Sequence, residues 1–323
     1  MVSDVSAGDT PGRVRGADDV VQPFTLESSG VRGRLVRLGP VVDGILSRHA
    51  YPEPVARLLG EMVALAGVMA AMLKYDGVFT LQTTGDGPVS MMVVDYMSDG
   101  RVRGYADVDG ERVPENAVVD DTADARALLG SGQLAYTVDD TGTGERHQGI
   151  VELEGQTLAE VFQHYFRQSA QIAAALRLSA GRVVESDGVE RWRAGGLMLQ
   201  QLPEEGATSA GEGEADPEEA WRRAVILMSS VTTGELREPG LTPHELLYRL
   251  FNEEGVRVYD PHRLSDACRC SREKVTRLLA GMAPDELTSL QHEDGSMDVT
   301  CQFCNRAYEF AEPDVAAIRR GEG

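Results

Sequence analysis

The chain of 323 residues is long enough for about two domains. Its 42% hydrophobic, 26% charged and 6% aromatic residues are the composition of a soluble globular protein, not of a fibrous or wholly disordered one. Acids outnumber bases 52 to 31, and the resulting charge of −21 at pH 7 repels a phosphate backbone, so no nucleic acid is expected as a partner.

Residues 1–22 are rich in Gly, Asp, Ser and Arg, lack the apolar core of a signal peptide and are expected as a disordered tail. Residues 31–38 alternate apolar and basic side chains with period two, the pattern of a half-buried strand. Across residues 54–75, Leu58, Met62, Leu65, Met69, Met72 and Leu73 recur at helical spacing with small residues between them, which predicts a helix buried on nearly all sides. Its most apolar run, residues 62–73, falls short of the roughly 20 residues a membrane span needs, so no membrane partner is expected. A cytoplasmic location is expected, where disulfides are not the resting state.

Residues 78–82, 89–96 and 102–108 read as three strands of an antiparallel meander. Between the first two, Gly85 and Gly87 begin a dinucleotide-like fingerprint, but Ser90 holds the third glycine position and a strand follows, so the segment is read as a hairpin turn. The lysines are Lys74 and Lys274 alone; neither follows glycine, so there is no phosphate-binding loop and no ATP is expected. Residues 134–138 and 149–153 form another strand pair, and residues 157–178 a helix through Leu158, Val161, Phe162, Tyr165, Ile172, Ala175 and Leu176, with Thr157 and Glu160 as a capping box. Residues 192–202 supply a last strand, which Pro203 stops. Strands followed by helices give an α+β fold.

From Pro203 to Glu219 seven acids and no Lys or Arg mark a solvated linker. Helices follow over about 217–233 and 242–252, the second opened by the capping box of Thr242 and Glu245 with Pro243 at its first position. Their apolar faces have little core of their own and must dock elsewhere.

All four cysteines fall in one region, as Cys268-Arg269-Cys270 and Cys301-Gln302-Phe303-Cys304. Two close thiol pairs in a reducing compartment have the count of a closed tetrahedral Zn²⁺ site, which leaves no open position for hydrolytic chemistry. In a strand Cys268 and Cys270 would point the same way, while Cys301 and Cys304 need a tight knuckle whose amides donate to sulfur. Two readings of the site stand side by side. One is a zinc ribbon that only holds a small domain together; the other is a redox switch, in which zinc keeps the thiols as oxidisable thiolates and oxidation of the nearest ones ejects the metal.

Distinctive segments extend well beyond the cysteines: Tyr51-Pro52-Glu53-Pro54, Leu81-Gln82-Thr83-Thr84-Gly85-Asp86-Gly87-Pro88, Arg103-Gly104-Tyr105-Ala106, Gln148-Gly149-Ile150-Val151, Ala194-Gly195-Gly196-Leu197-Met198-Leu199-Gln200 and Cys268-Arg269-Cys270-Ser271-Arg272-Glu273. On these the chain resembles the 33 kDa chaperonin family, the redox-regulated heat-shock holdases of bacteria, over most of residues 24–312. The resemblance implies an N-terminal antiparallel-sheet chaperone domain with packed helices (23–202), an acidic then helical linker (203–254), a zinc-binding redox-switch domain (255–312) and a tail (313–323). It implies one Zn²⁺ held by Cys268, Cys270, Cys301 and Cys304 in the reduced form. On oxidation Cys268 would pair with Cys270 and Cys301 with Cys304, zinc would leave, and zinc domain and linker would unfold. The exposed apolar surface would then hold unfolding client proteins without ATP, and the active form would be a homodimer.

Trp221, Val225, Met228, Leu246, Leu247, Leu250 and Phe251 are the candidates for the contact by which the linker masks that surface. The alternative is a zinc-bearing structural or regulatory protein without chaperone activity. Catalysis by His147 or His164 with nearby carboxylates is disfavoured, because the six histidines are scattered and no enzyme motif joins them.

Overall fold

Strand-forming segments pair locally at first and then across long stretches of chain. The computed structural model describes residues 18–168, 172–201 and 216–320. In chain order the elements are β1 (Val20–Leu26), β2 (Val31–Leu38), α1 (Pro40–Leu46), α2 (Glu53–Ala70), β3 (Gly77–Gly85), β4 (Val89–Met97), β5 (Arg101–Val108), β6 (Val118–Val119), β7 (Thr122–Ala123), α3 (Ala125–Leu129), β8 (Gly132–Asp140), β9 (Arg146–Glu152), α4 (Leu158–Gln168), β10 (Ala174–Val184) and β11 (Glu190–Gln201). After the next helices, α5 (Pro217–Ser229), α6 (Thr233–Arg237) and α7 (Pro243–Phe251), come β12 (Val256–Val258), β13 (His262–Arg263), β14 (Ser265–Asp266), α8 (Arg272–Ala280), α9 (Pro284–Ser289), β15 (Met297–Thr300), β16 (Ala307–Phe310) and α10 (Glu312–Arg319).

The first sheet runs β10-β11-β2-β1-β12, with β13 also on β1; the second runs β14-β5-β4-β3-β8-β9. All pairings are antiparallel except β14 with β5. Helix α2 packs against both sheets, and sixteen of its eighteen residues are buried, as its apolar and small-residue composition predicts. The glycines at 85 and 87 open the β3–β4 hairpin, where a Cβ on Gly85 would lie 2.1 Å from the Leu129 carbonyl oxygen of α3. They form the hairpin turn that the sequence pattern suggests, and they also allow close packing against α3. No helix among the described residues is long and apolar enough to cross a membrane.

The structure corrects several sequence expectations. Residues 20–22 belong to β1, not to a tail, because their side chains close the core and their backbone pairs with β2. The helix expected over 157–178 ends at Gln168; Ala175 and Leu176 lie on β10, whose eleven-residue pairing with β11 outweighs a helical spacing of apolar residues. β2 keeps Arg32 exposed, but its second half, Leu35 to Leu38, is buried on both faces instead of one, with Arg37 only 1% exposed. Residues 256–263 do not belong with the cysteines: β12 and β13 cover the edge of β1. Residues 312–319 form α10, whose Val315 and Ile318 complete the core around the cysteine module, so they are no tail. The helix expected over 217–233 ends at Ser229 as α5, and a separate short helix, α6, begins at Thr233 because Thr232 and Glu235 form a capping box of their own. Most of the acidic stretch, residues 203–215, lies outside the described residues.

Candidate metal centre

The two cysteine pairs reach one point from two directions. Cys268 and Cys270 follow β14 in a loop, not in a strand, and precede α8, whose cap Ser271 accepts a hydrogen bond from the Lys274 amide. Cys301 and Cys304 sit on the turn between β15 and β16. That turn is closed by the Asn305 amide donating to the Cys301 carbonyl at 2.8 Å, with Asn305 at φ 55°, a left-handed conformation that Asn tolerates.

All four Sγ atoms lie within 4.8 Å of one another. Cys268 and Cys301 sulfurs are 3.7 Å apart, and those of Cys270 and Cys304 3.4 Å. A tetrahedral Zn–S₄ centre with bonds of about 2.3 Å has sulfur–sulfur edges of about 3.8 Å, whereas a disulfide needs about 2.05 Å. The spacing therefore suits a metal ion bound by four thiols, and the donor set is that of a closed site.

The electrostatics point the same way. Burial pushes the Cys304 thiol up to about 12 and also raises Cys301. Cys268 is pushed up by burial too, but the Cys270 amide, the neighbouring thiols and Arg103 outweigh this and bring it down to about 7. Without a cation, burial thus opposes thiolate formation at Cys301 and Cys304 while Cys268 is eased toward it; a divalent ion would favour deprotonation of the set. Amides of Phe303 and Cys304 donate to the Cys301 sulfur, as a knuckle requires, and the Tyr308 hydroxyl donates to Cys270 Sγ at 3.1 Å.

The module is seated on the second sheet through groups the sequence reading missed. Asp95 of β4, 4% exposed, accepts from Arg103 of β5 at 2.8 and 2.6 Å and faces Arg269 at 3.7 Å. Arg103 also reaches Cys268 Sγ at 3.8 Å and lies 3.8 Å from the centre of the Phe303 ring, a cation–π contact. Asn305 donates to the Arg48 carbonyl, and Arg48 pairs with Asp266. Phe303, the aromatic between the second pair of cysteines, was a local signal; Asp95 and Arg103 lie in segments that carry the family resemblance, but their contact with the cysteine module follows only from the fold, which brings β4 and β5 to it.

All seven residues proposed for the linker contact pack in one cluster on the outer face of the first sheet. Met228, Leu246, Leu247 and Phe251 are buried against Phe24, Leu26, Leu35, Leu197 and Leu199, and Trp221, Val225 and Leu250 flank them. Phe251 stacks on Phe24 with ring centres 5.8 Å apart. His147 and His164 sit at the surface, each beside one carboxylate, Glu145 at 3.3 Å and Glu154 at 3.4 Å.

The sequence profile described as Hsp33 protein matches residues 19–311. The chain belongs to the Hsp33 family. It is 38% identical over 296 residues to the 33 kDa chaperonin of Caulobacter vibrioides, covering 92% of this chain and 96% of that protein. It is equally 38% identical over 308 residues to the 33 kDa chaperonin of Ectopseudomonas mendocina, covering 95% and 97%. The crystal structure of a 33 kDa chaperonin from Thermotoga maritima superposes with a TM-score of 0.76 at 25% identity, covering 94% of this chain and 98% of that one. The α+β architecture with clustered C-terminal cysteines is thus that of the Hsp33 family.

Proposed function

We propose that this Hsp33-family chain is an ATP-independent holdase of the cytoplasm whose cysteine centre is a redox switch. The observation that carries the proposal is the stacking of dependencies. The four-thiol centre supports a small module with eight buried apolar residues, and the module and the linker both lie on the sheets of the larger domain. Zinc, when bound, holds Cys268, Cys270, Cys301 and Cys304 as thiolates and supplies about 10–16 kcal/mol of folding energy. No core of that size replaces it.

Hydrogen peroxide takes two electrons from each pair of thiols, forms a disulfide and leaves as two waters. We assign the pairs as Cys268 with Cys270 and Cys301 with Cys304, following the family resemblance. A disulfide sulfur no longer ligates zinc, so the module melts, the seat at Asp95 and Arg103 is lost, and α5–α7 leave the sheet face they cover. The uncovered apolar patch holds unfolding clients, and two such patches favour a homodimer.

The test is peroxide treatment of the reduced, zinc-loaded protein at heat-shock temperature, following zinc release, free thiols and aggregation of an unfolding client together. Loss of one zinc and four thiols with new client protection is expected. Retained zinc, or protection that is equal before and after oxidation, would leave the centre as structural support only.

A further inference from the structure

The apolar contacts under the linker occupy only part of the face it covers. Strand alternation also places Arg177 and Ser179 of β10, Arg193 and Gly195 of β11 and Arg37 of β2 on that side, with Ser179 opposite Gly195 and Gly195 opposite Arg37. The linker segment 229–238 lies on this polar patch, which meets its backbone directly, while its side chains Val231 and Leu236 are buried in the adjoining apolar cluster and Thr233 and Arg237 bond to Asp121. Arg177 donates to the carbonyls of Val231 at 3.0 Å and Ser229 at 3.5 Å, and the Ser179 hydroxyl to that of Thr233 at 3.1 Å. Arg37 donates to the carbonyls of Glu235 at 3.2 Å and Glu238, and Arg193 Nε to that of Arg237 at 2.9 Å. A Cβ at position 195 would stand 2.4 Å from the Leu236 carbonyl oxygen, so glycine there admits the main chain.

Arg37 and Arg193 are 1% and 2% exposed, so protein acceptors replace water: linker carbonyls for both, and for Arg193 also the carboxylates of Asp18 and Glu185. A row of cationic donors that grips main-chain oxygens discriminates little between sequences, because every peptide carries the same acceptors. We propose that this patch is a sequence-independent peptide-backbone site, occupied in the reduced protein by residues 229–238 and taken over after activation by the main chain of an unfolded client. The inference rests on the holdase reading and names what that reading's surface recognises: client backbone at the arginine end, client apolar side chains at the end beneath α5 and α7.

The probes are two fluorescent synthetic peptides, one with the sequence of residues 229–240 and one with the same residues scrambled, titrated onto the full-length protein before and after peroxide. Client protection is measured in parallel on the same samples. Both peptides are expected to bind the oxidised protein with affinities within about threefold of each other, and neither to bind the reduced one. Arg177→Met with Ser179→Ala, at the outer end of the row, is expected to weaken both peptides about tenfold, with unchanged far-ultraviolet circular dichroism of the reduced protein. Arg177→Lys restores part of the loss. Binding of the native-order peptide alone would overturn the proposal, since the patch would then read linker side chains. Absence of peptide binding by a wild-type protein that protects clients would place client recognition elsewhere and overturn it with the holdase reading intact. Absence of both peptide binding and client protection in the oxidised wild type would overturn the two together.

Discussion

The larger domain and the cysteine module close their cores by different means. Helix α2 and the two sheets share a cluster of 46 buried apolar residues, spread over most of the elements from β1 to β11 and needing no metal. The module has eight, among them Val275, Leu279, Tyr308 and Phe310, and converges on four thiols. Between them, α5–α7 have, among the described residues, no core except the one they share with the sheet. Stability is therefore graded along the chain, and the part with the least apolar burial is the part that carries the four thiols.

The largest way to break this comparison is to remove the metal. A strong chelator is expected to melt residues 268–320 while the sheets persist, a loss of about 10–16 kcal/mol confined to the module. Amide-resolved NMR would show module resonances collapsing and those of β2 to β5 remaining; one cooperative loss of all resonances would contradict the grading. Next comes the shared core. Phe251→Ala empties a fully buried site against Phe24 and is expected to weaken linker docking by about 3–5 kcal/mol, giving client protection without oxidant in an aggregation assay.

The seat of the module is tested by Arg103→Leu, which strips the buried Asp95 carboxylate of its nearest partner. A loss of about 2–4 kcal/mol at this contact is expected, with zinc content unchanged by metal analysis but the module moving independently in NMR relaxation.

The large core carries its own pH signature. Glu61 on α2 is fully buried, with one oxygen accepting from the Ala123 amide at 3.1 Å, and burial raises its carboxyl to about 8. The folded acid holds its proton where the unfolded one has lost it. Its stability is therefore highest below about 4.5, falls as pH rises and levels off above about 8. Glu61→Gln is expected to flatten that slope in urea unfolding at pH 6 and pH 8, by about 2 kcal/mol at the higher value. The smallest effect belongs to the outer side of the linker: Tyr248, 65% exposed on α7, should tolerate Ser within about 0.5 kcal/mol by thermal unfolding and leave client protection unchanged.

What could be read from the sequence follows the range of the interactions. The thiol cluster was legible because four ligands in two short spacings carry their own geometry, and the apolar faces of α5 and α7 because helical periodicity is local. Long-range pairing hid the rest. Ala175 and Leu176 continue a helical spacing from α4, and only their partners on β11, 24 and 22 residues later, make them strand. Arg37 reads as the solvent side of an amphipathic strand until the linker, some 200 residues on, covers it. Asp95 and Arg103 look like ordinary surface charges of a meander until the metal module is set upon them.

The central claim is that oxidation detaches the linker from the sheet, and hydrogen exchange before and after peroxide tests it most directly. The expected result is loss of protection at the amides of α5, α7 and α8 together, while α2 and β3 to β5 stay protected. Continued protection of α5 and α7 in oxidised protein that holds clients would contradict it.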